Sequence, residues 1–270
     1  MNSNLNDLYT PLVSIIIPTF NAGSRLNNCL NSVLTQTMSD FEVIVIDANS
    51  TDNTLNTLKE FAQKDCRIQW LSESDHGIYD AMNKGITQSR GEWLYFLGSD
   101  DYLYNNEVLQ TLFGNVNFRE YDVLYGNVYS DRFSGLYDGV FNVSKILEKN
   151  ICHQAIFFNK KVFKKIGIFN CKFKAHADWE HNMRWFLSDK IKSKYIEMVI
   201  AYYTDGGFSS VNGDISFHET KILTYLKHAH KLLTFTTKVK LFRDALYIKR
   251  KSASIKGVFQ ALRFIPYLIY

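Results

Sequence analysis

The residues Gly91-Glu92-Trp93-Leu94-Tyr95-Phe96-Leu97-Gly98-Ser99-Asp100-Asp101 run an apolar strand straight into a small residue and two adjacent carboxylates. In an open α/β sheet, ligands collect beyond the carboxyl ends of the strands, so an acid pair there stands where a diphosphate would be held. Two hard oxygen donors suit Mg²⁺ or Mn²⁺, ions that keep waters and take further ligands from substrate phosphates. A turn or helix cap built from Ser-Asp-Asp is the competing explanation. Asp47 closes a second apolar run, Phe41 to Ile46. A carboxylate at that edge can accept from the N3–H of a uracil or from a sugar hydroxyl, whereas capping accounts for Ser50 to Thr54 without a ligand. Asp178 opens a stretch, Ala177 to Leu187, that places Met183, Phe186 and Leu187 on a core-facing helix side. Taken alone, an acid there reads as an N-cap.

These acids need a sheet to position them. Leu12-Val13-Ser14-Ile15-Ile16-Ile17 has the continuous β-branched character of a strand buried on both faces. Pro18 ends it, Thr19 to Gly23 form a loop, and Leu26, Leu30, Val33 and Leu34 recur at helical spacing. With Phe41 to Ile46 this makes a βαβ unit, whose crossover is right-handed in nearly all cases. Polar residues from Asp47 to Thr54 lead into a helix carrying Leu55, Leu58 and Phe61. Ile68 to Leu71 give a third strand, Ser72 to Gly77 a loop, and Ile78, Met82 and Ile86 another helix. Beyond the acid pair the spacing predicts a short helix (Leu109, Leu112, Phe113), a strand from Val123, antiparallel sheet over 131–143, a strand at Ile156 to Phe158 and a helix at Val162 and Phe163. After Met198 to Tyr203, Thr204-Asp205-Gly206-Gly207-Phe208-Ser209-Ser210 has the freedom to close over a ligand.

A chain of 270 residues, 46% hydrophobic, suffices for one large α/β domain, or a domain plus an appendage. Its four cysteines show no ligand-like spacing, which predicts reduced, mostly packed thiols. No signal peptide opens the chain, and no apolar run approaches the roughly 18 residues needed to span a bilayer. Residues 221–270 hold eleven Lys and Arg against one acid, Asp244, so residues 1–220 are net acidic although the total is +4. Val239, Phe242, Leu246, Val258, Leu262, Ile265 and Ile269 recur at helical intervals among those cations, beside Lys238, Lys249 and Lys256. Such a segment lies on anionic lipid or packs as a helical subdomain. No nucleic-acid reading motif accompanies it.

In order along the chain, Val13-Ser14-Ile15-Ile16-Ile17-Pro18-Thr19-Phe20-Asn21, Asp47-Ala48-Asn49-Ser50-Thr51-Asp52, Ser99-Asp100-Asp101 and Ala177-Asp178-Trp179-Glu180 closely resemble the family 2 glycosyltransferases of GT-A fold. The match runs from about residue 12 to about residue 210. Asp75-His76-Gly77-Ile78-Tyr79-Asp80-Ala81-Met82-Asn83-Lys84-Gly85 is similar to the subgroup that assembles bacterial O-antigen, capsule and colanic acid. The resemblance implies an α/β, Rossmann-like mixed sheet flanked by helices in a catalytic domain over 1–215, with a basic helical appendage over 216–270. It implies inverting, Mn²⁺- or Mg²⁺-dependent transfer of one hexose or N-acetylhexosamine from a nucleotide sugar, commonly a UDP-sugar. The expected acceptor is a saccharide on a polyprenyl diphosphate carrier, and the expected location is cytoplasmic, peripheral on the inner face of a bacterial membrane. Two departures stand out: Ala48-Asn49 replace the usual Gly or Asp of the second motif, and Ala177 replaces Glu before Asp178.

Carried over residue by residue, the resemblance implies that Asp101 ligates the metal while Ser99 and Asp100 contact the ribose or sugar. Pro18, Thr19, Asn21, Asp47 and Asn49 frame the nucleoside, with turn formation an equal account of Thr19 and Asn21. Asp178 is the base that takes the acceptor proton, with Glu180 in reserve. Asp80 and Lys84 reach the nucleotide or pair with each other on the helix surface. His153 touches diphosphate or acceptor or serves structurally, and Trp179 stacks on an acceptor sugar or packs. Arg184-Trp185 lacks the preceding Gln and the spanning helices of processive synthases, which favours single-sugar transfer. The rivals are a non-catalytic sugar-nucleotide or glycan-binding module, which has no use for a base, and a sugar nucleotidyltransferase, which would want a Gly- and Lys/Arg-rich loop after the first strand.

Overall fold

The computed structural model describes residues 10–115, 117–205, 213–251 and 261–269. Strand β1 (Val13–Thr19), helix α1 (Arg25–Leu34), β2 (Phe41–Asp47), α2 (Thr54–Lys64), β3 (Ile68–Ser72), α3 (Ile78–Gln88) and β4 (Trp93–Phe96) follow the predicted order. β1 pairs in parallel with β2 and β4, and β2 with β3. All residues of β1 and β2 are buried, as strands covered on both faces must be. α3 lies tightly on β1 because Gly85 has no side chain; a Cβ there would stand 2.3 Å from Ile16 Cγ2.

The second half adds β5 (Tyr102–Leu103), α4 (Val108–Asn115), β6 (Val123–Ser130), β7 (Gly135–Tyr137), α5 (Lys145–Glu148), β8 (Ile156–Asn159), α6 (Lys161–Ile166), α7 (Ala177–Phe186) and β9 (Ser193–Tyr202). Among the described residues the strands form one mixed sheet in the order β3-β2-β1-β4-β8-β6-β9-β5, with β7 beside β6. β8 runs antiparallel to β4. The residues just before β8 therefore arrive at the carboxyl edge of β4, where the acid pair begins.

Two local expectations change. Over 131–143 only the three residues of β7 pair with β6, because Gly135 and Gly139 take positive φ and break the extended run, and Asn127 Oδ1 captures the Gly139 amide. The polar loop after β2 caps α2 only through Asp52, whose Oδ1 accepts from Thr54 N at 3.0 Å, while Asn53 makes no side-chain cap bond. Its hydroxyls instead reach the β1–α1 loop: Ser50 Oγ accepts from Asn21 N, and Thr54 Oγ1 from the amides of Ala22 and Gly23. The four free thiols are mostly packed, as expected, with Cys66 the exposed one. Residues 206–210 of the predicted closing loop lie outside the described residues.

The C-terminal region forms α8 (Ile215–Ala229), α9 (Phe235–Lys251) and α10 (Pro266–Ile269). Phe217, Tyr225 and Ala229 of α8 join the main core. Leu223, Ala245 and Ala261 make a second cluster, against which Phe242 and Leu246 pack. Two residues of the stripe proposed for lipid thus face protein, and Lys238 and Lys249 are buried, Lys249 lying 3.1 Å from Glu219. Lys256 and Val258 lie outside the described residues. Among the described residues no helix is long and apolar enough to cross a membrane.

Candidate active site

The carboxyl ends of β1, β2 and β4 open into a cleft of about 500 Å³ lined by Pro18, Thr19, Ala48, Gly98, Ser99 and Asp100, with Phe20 and Arg25 at its edge. Phe20 is 62% exposed, unusual for an aromatic in a turn this well fastened, and offers a face on which a base can stack. Arg25 Nη1 lies 3.8 Å from Asp100 Oδ2. Asp75, Gly77 and Ile78 close the far wall. Asp80 and Lys84 do not line the cleft but fasten the loop that does: Asp80 Oδ2 accepts from His76 N, and Lys84 bonds Ser74 O and Glu73, each at 2.8 Å. Asp47 is fully buried beneath the cleft wall, its oxygens taken by Ser50 N, Ser50 Oγ and Ser72 Oγ. Asn21 holds the Thr51 amide, and Asn49 is exposed outside the lining.

Asp101 turns inward from the acid pair. It is buried, its Oδ2 accepting from Gln154 Nε2 at 2.6 Å and its Oδ1 from Thr204 N at 2.8 Å. Burial, and then the charge of Asp100, push its carboxyl up to about 6 despite those two donors. Gly98 makes room for it, since a Cβ there would meet Asp101 Oδ2 at 2.4 Å. A buried hard oxygen donor, undercompensated by protein and adjacent to a second carboxylate at a cleft, fits a divalent cation. Among the described residues no three acidic, His or Cys side chains converge to hold one.

A second cavity of about 310 Å³ lies beyond Gln154, lined also by His153, His176, Asp178, Tyr137 and Tyr203. Asp178 sits on the first turn of α7, whose N-cap is His176, so the capping role falls elsewhere. Its Oδ1 accepts from Tyr79 Oη and Trp179 N, each at 2.8 Å, its Oδ2 from Asn150 Nδ2 at 2.7 Å, and His153 Nδ1 is 3.6 Å away. Burial opposes ionisation, but the bonds from His153, Tyr79 and Asn150 outweigh it and hold the carboxyl below its ordinary range. Burial and the Asp178 charge push the Tyr79 hydroxyl up, so it remains a donor. Among the described residues His153 Nε2 and His176 Nδ1 are buried without a partner, and on residues that line a cavity such atoms mark places for a ligand's polar groups.

One dipeptide connects the two acids: Gln154 holds Asp101, and His153 flanks Asp178. Glu180 is not brought to this cavity; it pairs with Arg184 at 3.0 Å. Trp179 is mostly packing, its Nε1 bonded to Ile146 O and its ring against Phe217 and Lys221. Tyr79, Asn150, Gln154 and Arg25 went unassigned in the sequence. Tyr79 and Gln154 lie within or beside quoted motifs and were legible as neighbours. Asn150 carries no local signal, because its partners are 28 and 32 residues away.

Residues 14–182 match Glycosyl transferase family 2. A PGL/p-HBAD biosynthesis glycosyltransferase of Mycobacterium tuberculosis (strain H37Ra) is 38% identical over 211 residues, 77% of this chain and 82% of its own. Glycosyltransferase GlyG of Streptococcus pneumoniae serotype 4 is 27% identical over 90% of this chain and 72% of its own. Among solved structures, S. aureus TarS 1–349 in complex with UDP-GlcNAc superposes with a TM-score of 0.67 at 19% identity, covering 95% of this chain and 81% of that one. The mannosyltransferase PcManGT from Pyrobaculum calidifontis, in complex with GDP-Man and Mn²⁺, gives 0.59 at 14% identity over 97% and 82%. These likenesses establish the GT-A fold expected from the sequence.

Proposed function

This chain belongs to glycosyl transferase family 2 and is a glycosyltransferase, and from that premise we propose that it moves one hexose or N-acetylhexosamine from a UDP-sugar to a hydroxyl of a lipid-diphosphate-linked saccharide in surface-glycan assembly. The His153-Gln154 link between Asp101 and Asp178 carries this reading. It sets a diphosphate-side acid and an acceptor-side acid on either side of one short segment.

In the reaction an acceptor hydroxyl oxygen bonds to the anomeric carbon as the bond to the diphosphate oxygen breaks. The nucleoside diphosphate departs and the hydroxyl proton passes to Asp178. Its donors keep that carboxylate ionised at neutral pH, as a base must be. Attack opposite the leaving group inverts the centre and gives a β-linkage from an α-linked donor. Phe20, Thr19 and Pro18 seat the nucleoside, with Asp47, Asn21 and Asn49 shaping the loops beneath it. Ser99 and Asp100 face the ribose and sugar. Asp101, beside Asp100, would hold Mn²⁺ or Mg²⁺, which when bound neutralises charge on the diphosphate as a Lewis acid. His153 Nε2 and His176 Nδ1 are free to bond acceptor hydroxyls. Residues 1–215 form the catalytic unit and 216–270 the helical appendage, whose first helix buttresses the acceptor side through Phe217.

The relatives support a nucleotide-sugar donor, one solved with UDP-GlcNAc and another with GDP-Man and Mn²⁺. The mycobacterial relative's name places it in PGL/p-HBAD biosynthesis. A panel of UDP-, GDP- and dTDP-sugars with Mn²⁺ and a polyprenyl-diphosphate-linked sugar tests the proposal. Turnover of a UDP-hexose or UDP-N-acetylhexosamine, with an inverted anomeric signal by NMR, is the expected outcome. Turnover confined to the other nucleotides, or a retained configuration, overturns it.

A further inference from the structure

The far end of α7 from Asp178 meets the α8–α9 corner in a third cavity, about 640 Å³, which the reaction does not use. Its wall brings together Lys165, Arg184, Lys190, Lys227 and Lys231, with Asp189 as its one acid. Lys165 and Arg184 are matched by Asp122 and Glu180. Lys190, Lys227 and Lys231 have no carboxylate within ion-pair distance among the described residues. Burial first, and then the charges of Lys227, Arg184 and His230, hold the His228 imidazole down to about 4 and hence neutral. Ile166, Phe186, Leu187 and Leu232 add apolar lining, beside Ser188, His228 and His230. A pocket that combines several cations with aliphatic and aromatic side chains matches a group that carries both a phosphate and hydrocarbon.

The surface beside it has the same character. Leu232, which lines the cleft, is 57% exposed, and Phe235, three residues on, is 66% exposed. Val239, Arg243 and Tyr247 continue from Phe235 at four-residue steps, all exposed, and so share the outward side of α9. Phe242 and Leu246 pack on the opposite side against the second apolar cluster. From residue 215 to the end of the chain the only acids are Glu219 and Asp244. Glu219 is paired with Lys249, and Asp244 is half-buried. Separate large apolar side chains set among cations, with scarcely an exposed acid, complement an anionic bilayer better than a protein surface of mixed charge.

We propose that this corner docks on an anionic membrane, the cleft taking the phosphate of a phospholipid headgroup while Leu232, Phe235 and Val239 enter the bilayer beside it. The inference deepens the lipid-borne acceptor reading and rests on it for its purpose. The geometry agrees, because α8, about 22 Å long, starts beside the acceptor cavity at Phe217 and ends at the cleft. α9 returns antiparallel along it, so a membrane against the outward side of α9 reaches back toward the acceptor end.

The test uses the full chain and co-sedimentation with phosphatidylcholine vesicles, with and without phosphatidylglycerol. The wild type is expected to bind the mixed vesicles and to release them in high salt. With about fivefold in affinity for each cation near the leaflet, Lys227→Glu with Lys231→Glu should weaken binding by ~25-fold or more. Phe235→Ser with Val239→Ser should weaken binding to both vesicle types. Both variants should keep their circular dichroism melts and their turnover of the UDP-sugar on a water-soluble acceptor. Wild-type indifference to phosphatidylglycerol, or undiminished binding by Lys227→Glu with Lys231→Glu, overturns the proposal. Binding of inorganic phosphate in the cleft without vesicle binding overturns it equally. Vesicle binding is read without turnover, so an error about the acceptor leaves the result interpretable.

Discussion

Asp101 and Asp178 are equally buried and yet sit in opposite electrostatic surroundings. Asp101 has a like charge at its side and two neutral donors, and its carboxyl is pushed up to about 6. Asp178 has Tyr79, Asn150, Trp179 and His153 turned toward it, and is held below the ordinary range. Burial alone therefore says little about the role of an acid. The protein leaves Asp101 undercompensated, as the proposed cation and diphosphate would require, and surrounds Asp178 with fixed dipoles, as the proposed base would require before substrate binds.

The contrast breaks most visibly at Asp178. Asp178→Asn should lower kcat by about 10²–10⁴-fold, the range for a positioned base, while donor affinity measured by calorimetry stays near wild type. A variant that kept a tenth of the activity would remove Asp178 from the chemistry. Asp101→Asn should cost about 10²-fold in turnover and abolish the Mn²⁺ dependence of donor binding.

The same two variants should diverge in stability. For Asp101 the folded value of about 6 exceeds the unfolded one near 4. Its contribution is therefore favourable at low pH and is lost as pH rises through about 6. Asp101→Asn should accordingly stabilise the metal-free protein at neutral pH, by about 2–3 kcal/mol, and Mn²⁺ should raise the melting temperature of the wild type but not of the variant. For Asp178 the folded value is lowered, so its contribution is present at neutral pH and is lost on acidification. Asp178→Asn should then lower the melting temperature at neutral pH. Melts of both variants that moved in the same direction would refute the contrast.

The lining of the first cleft was legible in sequence, and that of the second cavity only in part, for a physical reason. Pro18, Thr19, Ser99 and Asp100 line the first cleft because parallel strands deliver their carboxyl ends to one edge, so local runs of apolar residues reveal both the strands and the loops that leave them. Even there, the spacing could not show that Ser50 and Thr54 bind the neighbouring loop instead of capping α2, since the alternatives use the same side chains. Asp178, in the second cavity, is met by Tyr79, Asn150 and His153, residues spread over about a hundred positions, and hydrophobic periodicity carries no information on such pairings. The tail stayed open between two readings for a similar reason: Phe242 and Leu246 have helical spacing whether they face lipid or α8, and only the packing of Leu223 and Ala245 decides it for these two.

Smaller effects sharpen the contrast. Tyr79→Phe removes one of the donors that hold Asp178 down, without touching the donor cleft. Its carboxyl should rise toward the usual range, so the acid limb of the kcat/KM profile should move to higher pH, with kcat down about tenfold or less. An unshifted limb would mean that Tyr79 only fills space.

The least effect is expected at Glu180, the alternative base two residues from Asp178. Its carboxylate meets Arg184 at 3.0 Å on a different side of α7, and burial raises its pKa against that cation. Glu180→Gln keeps an acceptor for Arg184, whose other guanidinium nitrogens remain bonded to Ile166 O and Ile168 O. Turnover should stay within about twofold, with any cost appearing in the melting temperature as a partly buried ion pair is weakened. Because the folded value of Glu180 is raised, its ionisation works against the fold as pH rises through that value. The melting difference between variant and wild type should therefore vary with pH on the acid side while kcat does not. A hundredfold loss of turnover in this variant, with Asp178→Asn still active, would exchange the roles of the two acids and place the acceptor on the Arg184 side of the helix.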